Sequence, residues 1–284
     1  MARIVAGIGS SHVPSIGRAF DLGKQQDPAW KPLFDGYLPV KDWLENEVRA
    51  DAVIFVYNDH GSDFGLDRCP TFALGTADSY PLADEGFGQR PLPAVRGDAD
   101  LSWHLANALI ADEFDLTVCQ EMAVDHGLLV PLPLLWSYQP DWNIKVVPLV
   151  VNVIQHPLPT ARRCLRLGQA LRRAVESYPA DARVAIVGTG GMSHQLHGER
   201  FGHLDEAFDR RWLDLIESDP ASLAAMSHED IMQAAGAEAV ELIMWLIMRG
   251  AMTPRVRRLH KNYYAPMTSG MGLITFVDAE EETS

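Results

Sequence analysis

The run Ala52-Val53-Ile54-Phe55-Val56-Tyr57 contains only apolar and aromatic residues, and three of the six are β-branched. Short runs of this composition are typical of β-strands. Successive side chains of a strand point to opposite faces, so a strand that is apolar at every position is expected to be buried on both faces. The polar sequence Asn58-Asp59-His60 follows directly. We therefore predict a central strand of a layered sheet that ends in a polar loop.

Similar strand-like runs occur along the rest of the chain, with helical patterns between them. The strand-like runs span residues 4–8, 52–57, 71–74, 146–153, 184–187 and 273–277. The helical patterns include residues 101–112, 161–177, 205–217 and 237–249. Strands that alternate with helices are typical of α/β proteins, so the sequence predicts a layered α/β fold with buried central strands.

The composition indicates a globular protein with a large core. The chain has 284 residues, of which 47% are hydrophobic, and we expect a single domain over residues 1–284. It contains 24 basic and 38 acidic residues, a formal net charge of −14. This charge argues against nucleic acid or an anionic membrane surface as the main partner.

The expected location is the cytoplasm. The first residues lack the apolar core and cleavage pattern of a signal peptide. No apolar stretch approaches the roughly 20 residues that a membrane-spanning helix requires. The three cysteines, Cys69, Cys119 and Cys164, are far apart and form no Cys-x-x-Cys pair. This pattern predicts free thiols in a reducing compartment.

Glu241 is the only charged residue in the apolar, helical-looking run 239–248. At 3.6 residues per turn it shares a face with Met244, Trp245 and Met248, and apolar residues also cover the opposite face, so the helix is predicted to be buried. Burying an ionised carboxylate is costly, so Glu241 is expected to be neutral, paired with a cation or bound to a metal. Glu238, one turn earlier, is the alternative.

Four histidines lie just after strand-like runs: His12, His60, His156 and His194. Ligands of open α/β sheets bind beyond the carboxyl ends of the strands, so these side chains are expected to converge on one crevice. His126 lies in a turn-like segment before an apolar stretch. A single histidine at such a position more often has a capping or core role. The evidence for a functional site is therefore that several of them occur together.

Two imidazoles and one carboxylate, here His12, His60 and Glu241, form the ligand set that binds non-heme Fe(II) and leaves positions open for substrate and dioxygen. Zinc is the competing ion, because it accepts the same ligands and would activate water for hydrolysis. Sequence spacing does not separate the two. Neither a Gly-x-Ser-x-Gly nor a His-Glu-x-x-His motif occurs, which argues against a serine hydrolase and a zincin.

Residues 78–98 form the longest irregular segment and are rich in glycine and proline. Long loops in compact domains are often lids or binding loops. A surface loop without any function would have the same composition, so the sequence leaves both interpretations open.

Six motifs follow one another along nearly the whole chain. They are Ser10-Ser11-His12-Val13-Pro14, Val56-Tyr57-Asn58-Asp59-His60, Ala83-Asp84-Glu85-Gly86, Val124-Asp125-His126-Gly127, Gly188-Thr189-Gly190-Gly191-Met192-Ser193-His194-Gln195 and Val240-Glu241-Leu242-Ile243-Met244-Trp245-Leu246. Together they resemble the catalytic β subunit of protocatechuate 4,5-dioxygenase. That family is the class III extradiol, or LigB-type, ring-cleaving dioxygenases, which also include the gallate and 3-O-methylgallate dioxygenases.

The resemblance implies a three-layer α/β/α fold around a mixed, largely buried sheet. It implies that His12, His60 and Glu241 bind Fe(II). It further implies that His194 is the acid/base residue and that His126 contacts the substrate or bound oxygen. Four polar residues beside these positions are expected to support them: Asn58, Asp59, Asp125 and Ser193.

The implied activity is extradiol cleavage of a carboxylated catechol, such as protocatechuate, gallate or 3-O-methylgallate, by Fe(II) and dioxygen. Protocatechuate enzymes have a Ser-Asn pair that helps to hold the ring carboxylate, whereas this chain has Thr268 and Ser269, which we expect to donate hydrogen bonds to it. Residues 155–157, 161–163 and 197–200 look closer to gallate dioxygenases. The resemblance gives no role to His156, which is expected to be a loop residue.

The family also suggests partners. A small α subunit accompanies the protocatechuate enzyme, so a separate small partner in an α2β2 assembly, or a homodimer, is expected. Two rival interpretations remain open. One is a zinc-dependent hydrolase at the same ligands, and the other is a non-enzymatic metal-binding protein on the same fold.

Overall fold

The centre of the fold is a group of four adjacent parallel strands within an eight-stranded mixed sheet. The computed structural model describes residues 1–279 of the chain. The strands in chain order are β1 (Arg3–Ser10), β2 (Ala52–Tyr57), β3 (Phe72–Gly75), β4 (Ser79–Tyr80), β5 (Val95–Arg96), β6 (Thr117–Cys119), β7 (Lys145–Val151), β8 (Arg183–Thr189), β9 (Val256–Tyr264) and β10 (Met271–Asp278).

The strand order of the large sheet is β6-β3-β7-β2-β8-β1-β10-β9, and β4 and β5 form a separate ribbon. Strands β7, β2, β8 and β1 run parallel to one another. Strand β3 is antiparallel to β7, and β10 is antiparallel to both β1 and β9. The carboxyl ends of the four central strands therefore meet at one edge of the sheet, where ligand sites of α/β folds form.

Helices cover both faces of this sheet. They are α1 (Pro14–Asp21), α2 (Lys31–Trp43), α3 (Ala99–Ala111), α4 (His126–Leu129), α5 (Leu132–Leu135), α6 (Ala161–Glu176), α7 (Glu206–Ser218), α8 (Pro220–Ala224), α9 (His228–Ala235) and α10 (Ile243–Ala251). Within residues 1–279, none of the helices is both long enough and apolar enough to cross a bilayer.

Two hydrophobic clusters, one on each face, hold the layers together. Strand β2 contributes to both, because its side chains alternate between the faces. Ile54 and Val56 pack with residues of α3, α6 and α10, whereas Phe55 and Tyr57 pack with residues of α1, α2 and α4. Complete burial of each such side chain stabilises the fold by about 2 kcal/mol. The central strand is thus apolar throughout because both of its faces are covered.

The three-layer α/β/α fold around a mixed sheet is confirmed. Strand β9 is the longest strand that the sequence patterns did not indicate. It is an edge strand in which exposed residues, among them Arg257 and Lys261, alternate with half-buried ones such as Arg258. Charged residues protect an exposed edge from pairing with other chains, and they also hide the apolar signal of a strand.

The predicted helix over residues 237–249 is only partly a regular α-helix. It begins as a 3₁₀ segment, Ala237–Leu242, and becomes α-helical at α10. The expected burial is correct, since Glu241 and all residues of α10 are buried. The prediction was wrong in placing Glu241 on a continuous 3.6-residue stripe, because a 3₁₀ turn has about three residues.

Candidate metal centre and active-site cavity

The loops that follow the four central strands all reach one cavity of about 780 Å³. His12 follows β1, His60 follows β2, His156 follows β7 and His194 follows β8, and all four line this cavity. His126, at the start of α4, lines it as well. The sheet topology therefore brings together histidines that are as far apart as 182 positions in the sequence.

His12, His60 and Glu241 form a compact group of candidate metal ligands. One ligand atom from each lies within 4.8 Å of the other two. Nε2 of His12 is 3.2 Å from Oε2 of Glu241, and Nε2 of His60 is 3.8 Å from Oε1 of the same carboxylate. Both carboxylate oxygens thus face imidazole nitrogens across a short gap.

Glu241 reaches this position because a glycine loop lets it approach the end of β8. Gly190 has a φ of +137°, and a Cβ there would lie 2.8 Å from Cβ of Glu241. A side chain at this position would therefore be both strained and obstructed. The next residue, Gly191, donates its backbone N–H to Oε2 of Glu241 at 2.6 Å. The loop that leads from β8 to Ser193 and His194 thus also holds the buried carboxylate.

The charge on Glu241 is stabilised by its neighbours. Burial by itself would raise the pKa of this carboxyl, but the imidazoles of His12, His60 and His194 outweigh it and hold the pKa well below its ordinary value. Glu241 is only 8% exposed. This direction favours the ionised carboxylate, and an ionised carboxylate in the protein interior requires a compensating cation.

The tautomer of His12 follows from its hydrogen bonds. Nδ1 of His12 lies 2.9 Å from Oγ1 of Thr189, whose hydroxyl donates its single proton to the carbonyl of Val56 at 3.0 Å. Thr189 must therefore accept from His12, so Nδ1 has the proton and Nε2 has the lone pair. Burial lowers the pKa of His12, with partial compensation from Glu241. The ring is thus held in the neutral form that a metal ligand requires.

His60 is oriented by Asp125. The Asp125 carboxylate accepts the Nδ1–H of His60 at 2.9 Å and its backbone N–H at 2.7 Å. Burial alone would raise the pKa of Asp125, but these bonds and the charge of His60 outweigh it and lower the pKa. For His60, burial would lower the pKa, whereas Asp125 and Glu241 raise it to about 10. The two carboxylates therefore favour positive charge at this point.

These residues fit a metal ion. Nε2 of His12 is fully buried and accepts no hydrogen bond, although Glu241 is close by. A buried lone pair without a partner is costly, and a cation between His12, His60 and Glu241 would satisfy it. The same ion would replace the proton that the carboxylates favour on His60. Two nitrogen ligands and one oxygen ligand suit Fe(II) and also suit zinc.

His194 lies beside this group and is only 6% exposed. Its Nδ1 is 2.7 Å from the carbonyl oxygen of Met192, which can only accept. Nδ1 is therefore protonated, and Nε2 of the neutral ring is free to take a proton. Gly191 leaves space for the ring, since a Cβ at Gly191 would lie 2.5 Å from Cε1 of His194.

His126 stacks on His60, with 3.7 Å between the ring centroids. Glu85 holds it from the other side. One oxygen of Glu85 accepts the Nδ1–H of His126 at 2.5 Å, and the other accepts its backbone N–H at 3.0 Å. The two-point contact fixes the ring so that its Nδ1 is occupied and its Nε2 is available to a ligand.

The sequence matches a family model over residues 6–274, and that model is described as the catalytic LigB subunit of aromatic ring-opening dioxygenase. The chain belongs to the LigB family. The match covers every candidate site residue, from His12 to Ser269. The family resemblance inferred from the six motifs is thereby confirmed at the level of the family.

Two relatives of this LigB chain illustrate the similarity. A gallate dioxygenase of Pseudomonas putida is 46% identical over 200 residues, which are 70% of the chain and 59% of that protein. A 2,3-dihydroxyphenylpropionate/2,3-dihydroxicinnamic acid 1,2-dioxygenase of Burkholderia vietnamiensis is 29% identical over 246 residues, which are 71% of the chain and 75% of that protein. The chain thus spans less than two thirds of the gallate dioxygenase.

A solved structure shares the three-layer fold of this chain. It is the crystal structure of an uncharacterized protein from Escherichia coli K12, with a TM-score of 0.57 and 13% sequence identity. The similarity covers 97% of this chain and 100% of that chain. At this identity the comparison supports the architecture only.

Of the four residues expected to support the site, two contact an imidazole and two do not. Nδ2 of Asn58 is 3.0 Å from Nε2 of His60. Asp125 orients His60, as described above. Asp59 does not touch the imidazoles and instead accepts backbone N–H groups of the loop that follows, including Gly61 at 2.9 Å. Ser193 does not line the cavity, and its hydroxyl donates to the buried carboxylate of Asp209.

The cavity of the LigB chain also contains the two residues that we expected to bind substrate. Ser269 is buried and pairs with His194 in an isolated β-bridge, whereas Thr268 is exposed. His156, expected to be a loop residue, is on a loop but also lines the cavity. Glu238 lines the cavity too, but it pairs with His197 at 2.7 Å. The structure therefore places Glu241, and not Glu238, between His12 and His60.

Sequence reasoning missed two residues of the LigB site, Thr189 and Glu85. Both lie in motifs that the resemblance had singled out, but neither was assigned a role. Thr189 is the last residue of β8 and bonds to His12, which lies two residues after the neighbouring strand β1. Glu85 belongs to the long irregular segment 78–98, which this contact ties to the cavity. A polar residue at a strand end and an acidic pair, Asp84-Glu85, in a glycine-rich loop were the available signals.

Proposed function

We propose that this chain catalyses Fe(II)-dependent extradiol cleavage of a carboxylated catechol with dioxygen. One observation supports the proposal above all others. Each of His12, His60, His126 and His194 lines one cavity and has its Nδ1 occupied by a hydrogen-bond acceptor. Nε2 is therefore the nitrogen left for a ligand, and in His60 the side chain of Asn58 lies 3.0 Å from it. Glu241 completes the group. This arrangement provides metal ligands and proton-transfer groups side by side.

His12, His60 and Glu241 are proposed to hold the metal. Three protein ligands of this type leave open coordination positions, and a single carboxylate leaves the Fe(II) site with residual positive charge. When bound, Fe(II) would supply one centre at which both hydroxyl oxygens of a catechol and dioxygen are brought together. The protein's contribution is to fix the ligands, since the partners of His12 and His60 leave each ring one orientation.

His194 is proposed to take a proton from a catechol hydroxyl and to return it later in the reaction. Its Nε2 is unprotonated in the neutral ring, because Nδ1 donates to Met192. An imidazole can both accept a proton and give it back, so it can act in both directions. Because His194 is buried, the transfer is shielded from bulk water.

His126 is proposed to stabilise negative charge that develops on oxygen during the reaction. Glu85 accepts the Nδ1–H of the ring, so Nε2 is the atom through which the imidazolium form would donate to an oxygen atom. Stacking on His60 keeps this donor close to the candidate metal ligands.

The substrate is proposed to be a single-ring catecholic acid of the protocatechuate, gallate or 3-O-methylgallate type. The relative described as a gallate dioxygenase, at 46% identity, supports this choice. In the part of the chain that the structure describes, no lysine or arginine lines the cavity. A ring carboxylate would therefore be bound by hydroxyl and backbone groups, for which Thr268 and Ser269 are the candidates.

A partner is proposed as well. Because the matched residues span 59% of the gallate dioxygenase, part of that protein has no counterpart in the match. A small α subunit, in an α2β2 assembly, or a second copy of the chain would be the corresponding partner here. The cytoplasmic location and the single catalytic domain over residues 1–284 remain predictions.

The test is oxygen uptake by the Fe(II)-loaded protein. Protocatechuate, gallate, 3-O-methylgallate and uncarboxylated catechols are compared, and formation of the ring-opened product is followed in parallel. We expect uptake with at least one carboxylated catechol and none under anaerobic conditions. Zinc-loaded protein is the metal control, since an oxygenase requires a redox-active ion.

His12→Ala and His60→Ala should lose bound iron and activity together. His104→Ala is the matched control, because His104 lies on α3 and bonds to Ala174 and Ser177, away from the cavity. No oxygen uptake with any of the catechols would exclude the dioxygenase. Product formation by the zinc-loaded protein without dioxygen would instead support a hydrolase.

A further inference from the structure

Asp209 is a fully buried carboxylate on the outer helix α7, behind the cavity. It accepts three hydrogen bonds. Oδ1 accepts the backbone N–H of Ser193 at 2.8 Å, and Oδ2 accepts the hydroxyl groups of Ser193 at 2.7 Å and Tyr263 at 2.8 Å. Asp209 does not line the cavity itself. Its partners belong to the loop after β8 and to the edge strand β9.

Ser193 is the residue immediately before His194. Besides its bonds to Asp209, its hydroxyl oxygen accepts the backbone N–H of Asp205 at 2.9 Å. The backbone N–H and the side chain of Ser193 are therefore both held from the α7 side. This contact limits rotation of the peptide that leads into His194, on which the direction of the imidazole depends.

The same carboxylate touches the segment that contains Ser269. A Cβ at Gly270 would lie 2.1 Å from Oδ2 of Asp209, so only glycine allows this approach. Gly270 is bonded to the loop before His194 on both sides, since its N–H donates to the carbonyl of Ser193 at 2.9 Å and its carbonyl accepts from Met192 at 3.1 Å. Asp209 therefore lies where the segments containing His194 and Ser269 join.

Stability alone is a poor explanation for this residue. Burial raises the pKa of the Asp209 carboxyl above its ordinary value, and the bonds from Ser193 and Tyr263 offset only part of that rise. Keeping the group ionised here therefore costs folding free energy, which an apolar side chain of similar size would not. A buried polar group that joins two functional segments is more readily explained by the geometry that it imposes.

We propose that Asp209, together with Tyr263, is a positioning residue that holds His194 and Ser269 in register with each other. The inference rests on the proposed function, in which His194 transfers a proton and Ser269 contacts the ring carboxylate. Asp209 touches neither substrate nor metal ligand. Its effect is to fix the distance and angle between a proton acceptor and a substrate-binding group that lie on different segments.

Three variants test the proposal. In Asp209→Asn the amide oxygen can still accept the backbone N–H of Ser193, but the amide nitrogen replaces the oxygen that accepted the two hydroxyl groups. Asp209→Ala removes all three acceptor contacts. Tyr263→Phe removes one donor and leaves the bonds to Ser193 intact. The matched control is Asp214→Asn on the same helix, where the exposed carboxylate pairs with Lys261 and Arg258.

Two measurements do not require turnover. The first is hydrogen exchange of the metal-free protein in residues 190–196 and 267–272. The second is the visible spectrum of 4-nitrocatechol bound anaerobically to the Fe(II) protein, which reports how far the site ionises the hydroxyl groups. We expect faster exchange in both segments and weaker ionisation in Asp209→Asn, with a larger effect in Asp209→Ala. The control should match the wild type.

Turnover gives the third measurement. We expect kcat of Asp209→Asn to fall about tenfold at unchanged iron content, in the range usual for losing an orienting contact. Tyr263→Phe should show a smaller fall in the same direction. If Asp209→Ala does not fold, Asp209→Asn and Tyr263→Phe decide the question.

Wild-type exchange and a wild-type nitrocatechol spectrum in Asp209→Asn would overturn the proposal, even if the variant is less stable. A different result would reject the proposed dioxygenase alone. If the protein consumes no dioxygen with any catechol, but Asp209→Asn still speeds exchange in both segments, then Asp209 couples the two segments structurally and the chain is not a dioxygenase. The two failures are therefore distinguishable.

Discussion

Thr189, the last residue of β8, accepts a hydrogen bond from His12, which follows the neighbouring strand β1, with 2.9 Å between Oγ1 and Nδ1. The bond determines which nitrogen of His12 faces the cavity, because the threonine hydroxyl has already donated its proton to Val56. The other three imidazoles are held in the same way by an acceptor at Nδ1. In all four rings, Nδ1 is bonded to the protein and Nε2 is the nitrogen on the side of the cavity.

Thr189→Val should weaken metal binding. Valine has the same shape but no oxygen, so the Nδ1–H of His12 and the carbonyl of Val56 lose their partner inside the protein. Loss of such an orienting contact typically reduces metal affinity by about 10–100-fold. The affinity is measured by competition with a chromophoric chelator.

Thr275→Val is the matched control for that variant. Thr275 is fully buried on β10, and its hydroxyl oxygen has no hydrogen-bond partner in residues 1–279. The same replacement there should leave metal affinity unchanged and should not destabilise the protein. Equal losses of affinity in the two variants would show that Thr189 acts through packing rather than through His12.

Glu241→Gln should release the metal, whereas Glu238→Gln should retain it. Glu241 lies between His12 and His60, and a neutral amide is a weaker ligand for a cation than a carboxylate. Glu238 is bonded to His197 and to the backbone N–H of Leu196. Metal content after gel filtration, measured by elemental analysis, checks this prediction. Retention in the first variant and loss in the second would make Glu238 the ligand.

His194→Phe should keep the metal and lose turnover. General acid–base groups typically contribute about 10²–10⁴-fold to rate, so kcat should fall by a factor in that range while iron content is unchanged. Stopped-flow mixing of the anaerobic catechol complex with dioxygen measures the loss directly. His104→Phe on α3 is the control and should turn over normally. Full activity in His194→Phe would remove His194 from the proton-transfer role.

Glu85→Gln should reduce turnover without affecting metal binding. Its amide can accept only one of the two N–H groups of His126 that the carboxylate accepts. We expect kcat to fall about tenfold, as for other orienting carboxylates. Glu121→Gln, an exposed acid, is the control. An unchanged kcat at normal metal content would mean that segment 78–98 is a surface excursion with no part in catalysis.

Glu45 should make the stability of the protein depend on acid pH. Burial would raise the pKa of this carboxyl, but hydrogen bonds from Ser137 and Asn143 outweigh it and lower the pKa. A carboxyl whose pKa is lower in the folded state stabilises the fold above its unfolded pKa, and this stabilisation is lost as the pH falls through the folded value.

The free energy of unfolding, measured in urea at several pH values, tests the role of Glu45. The difference between the wild type and Glu45→Gln should be largest above about pH 5 and should shrink as the pH falls below about 4.5, the ordinary value for this side chain. A difference that stays constant across this range would contradict the predicted sign.

The central strands and the identity of the site histidines were predictable because they depend on local signals. A run such as Ala52–Tyr57 is apolar at every position, and polar residues follow it immediately. Such a pattern reflects burial on both faces. Edge strand β9 was not predictable in this way, because its charged residues reflect exposure of one side.

His156 shows where sequence reasoning lost information. Its position after β7 predicts a place at the crevice, and the family resemblance then gave no reason to keep it there. In the structure it lines the cavity. Ligands bind beyond the carboxyl ends of the strands, so any residue just after a central strand is expected near the cavity. A motif match, by contrast, gives information only on residues that have a known role in the family.

The sequence by itself determined the buried α/β sheet, the carboxylate that needs a cation, and the histidines that follow the strands, because burial and strand ends leave a local pattern. Only the tertiary structure decided that Glu241 and not Glu238 faces His12, and that Thr189, Asp125 and Glu85 orient the imidazoles. Those contacts join residues from 41 to 177 positions apart. Hydrogen bonds over such separations depend on the order of the strands and on the close approach that Gly190 and Gly191 allow, and no local pattern encodes either.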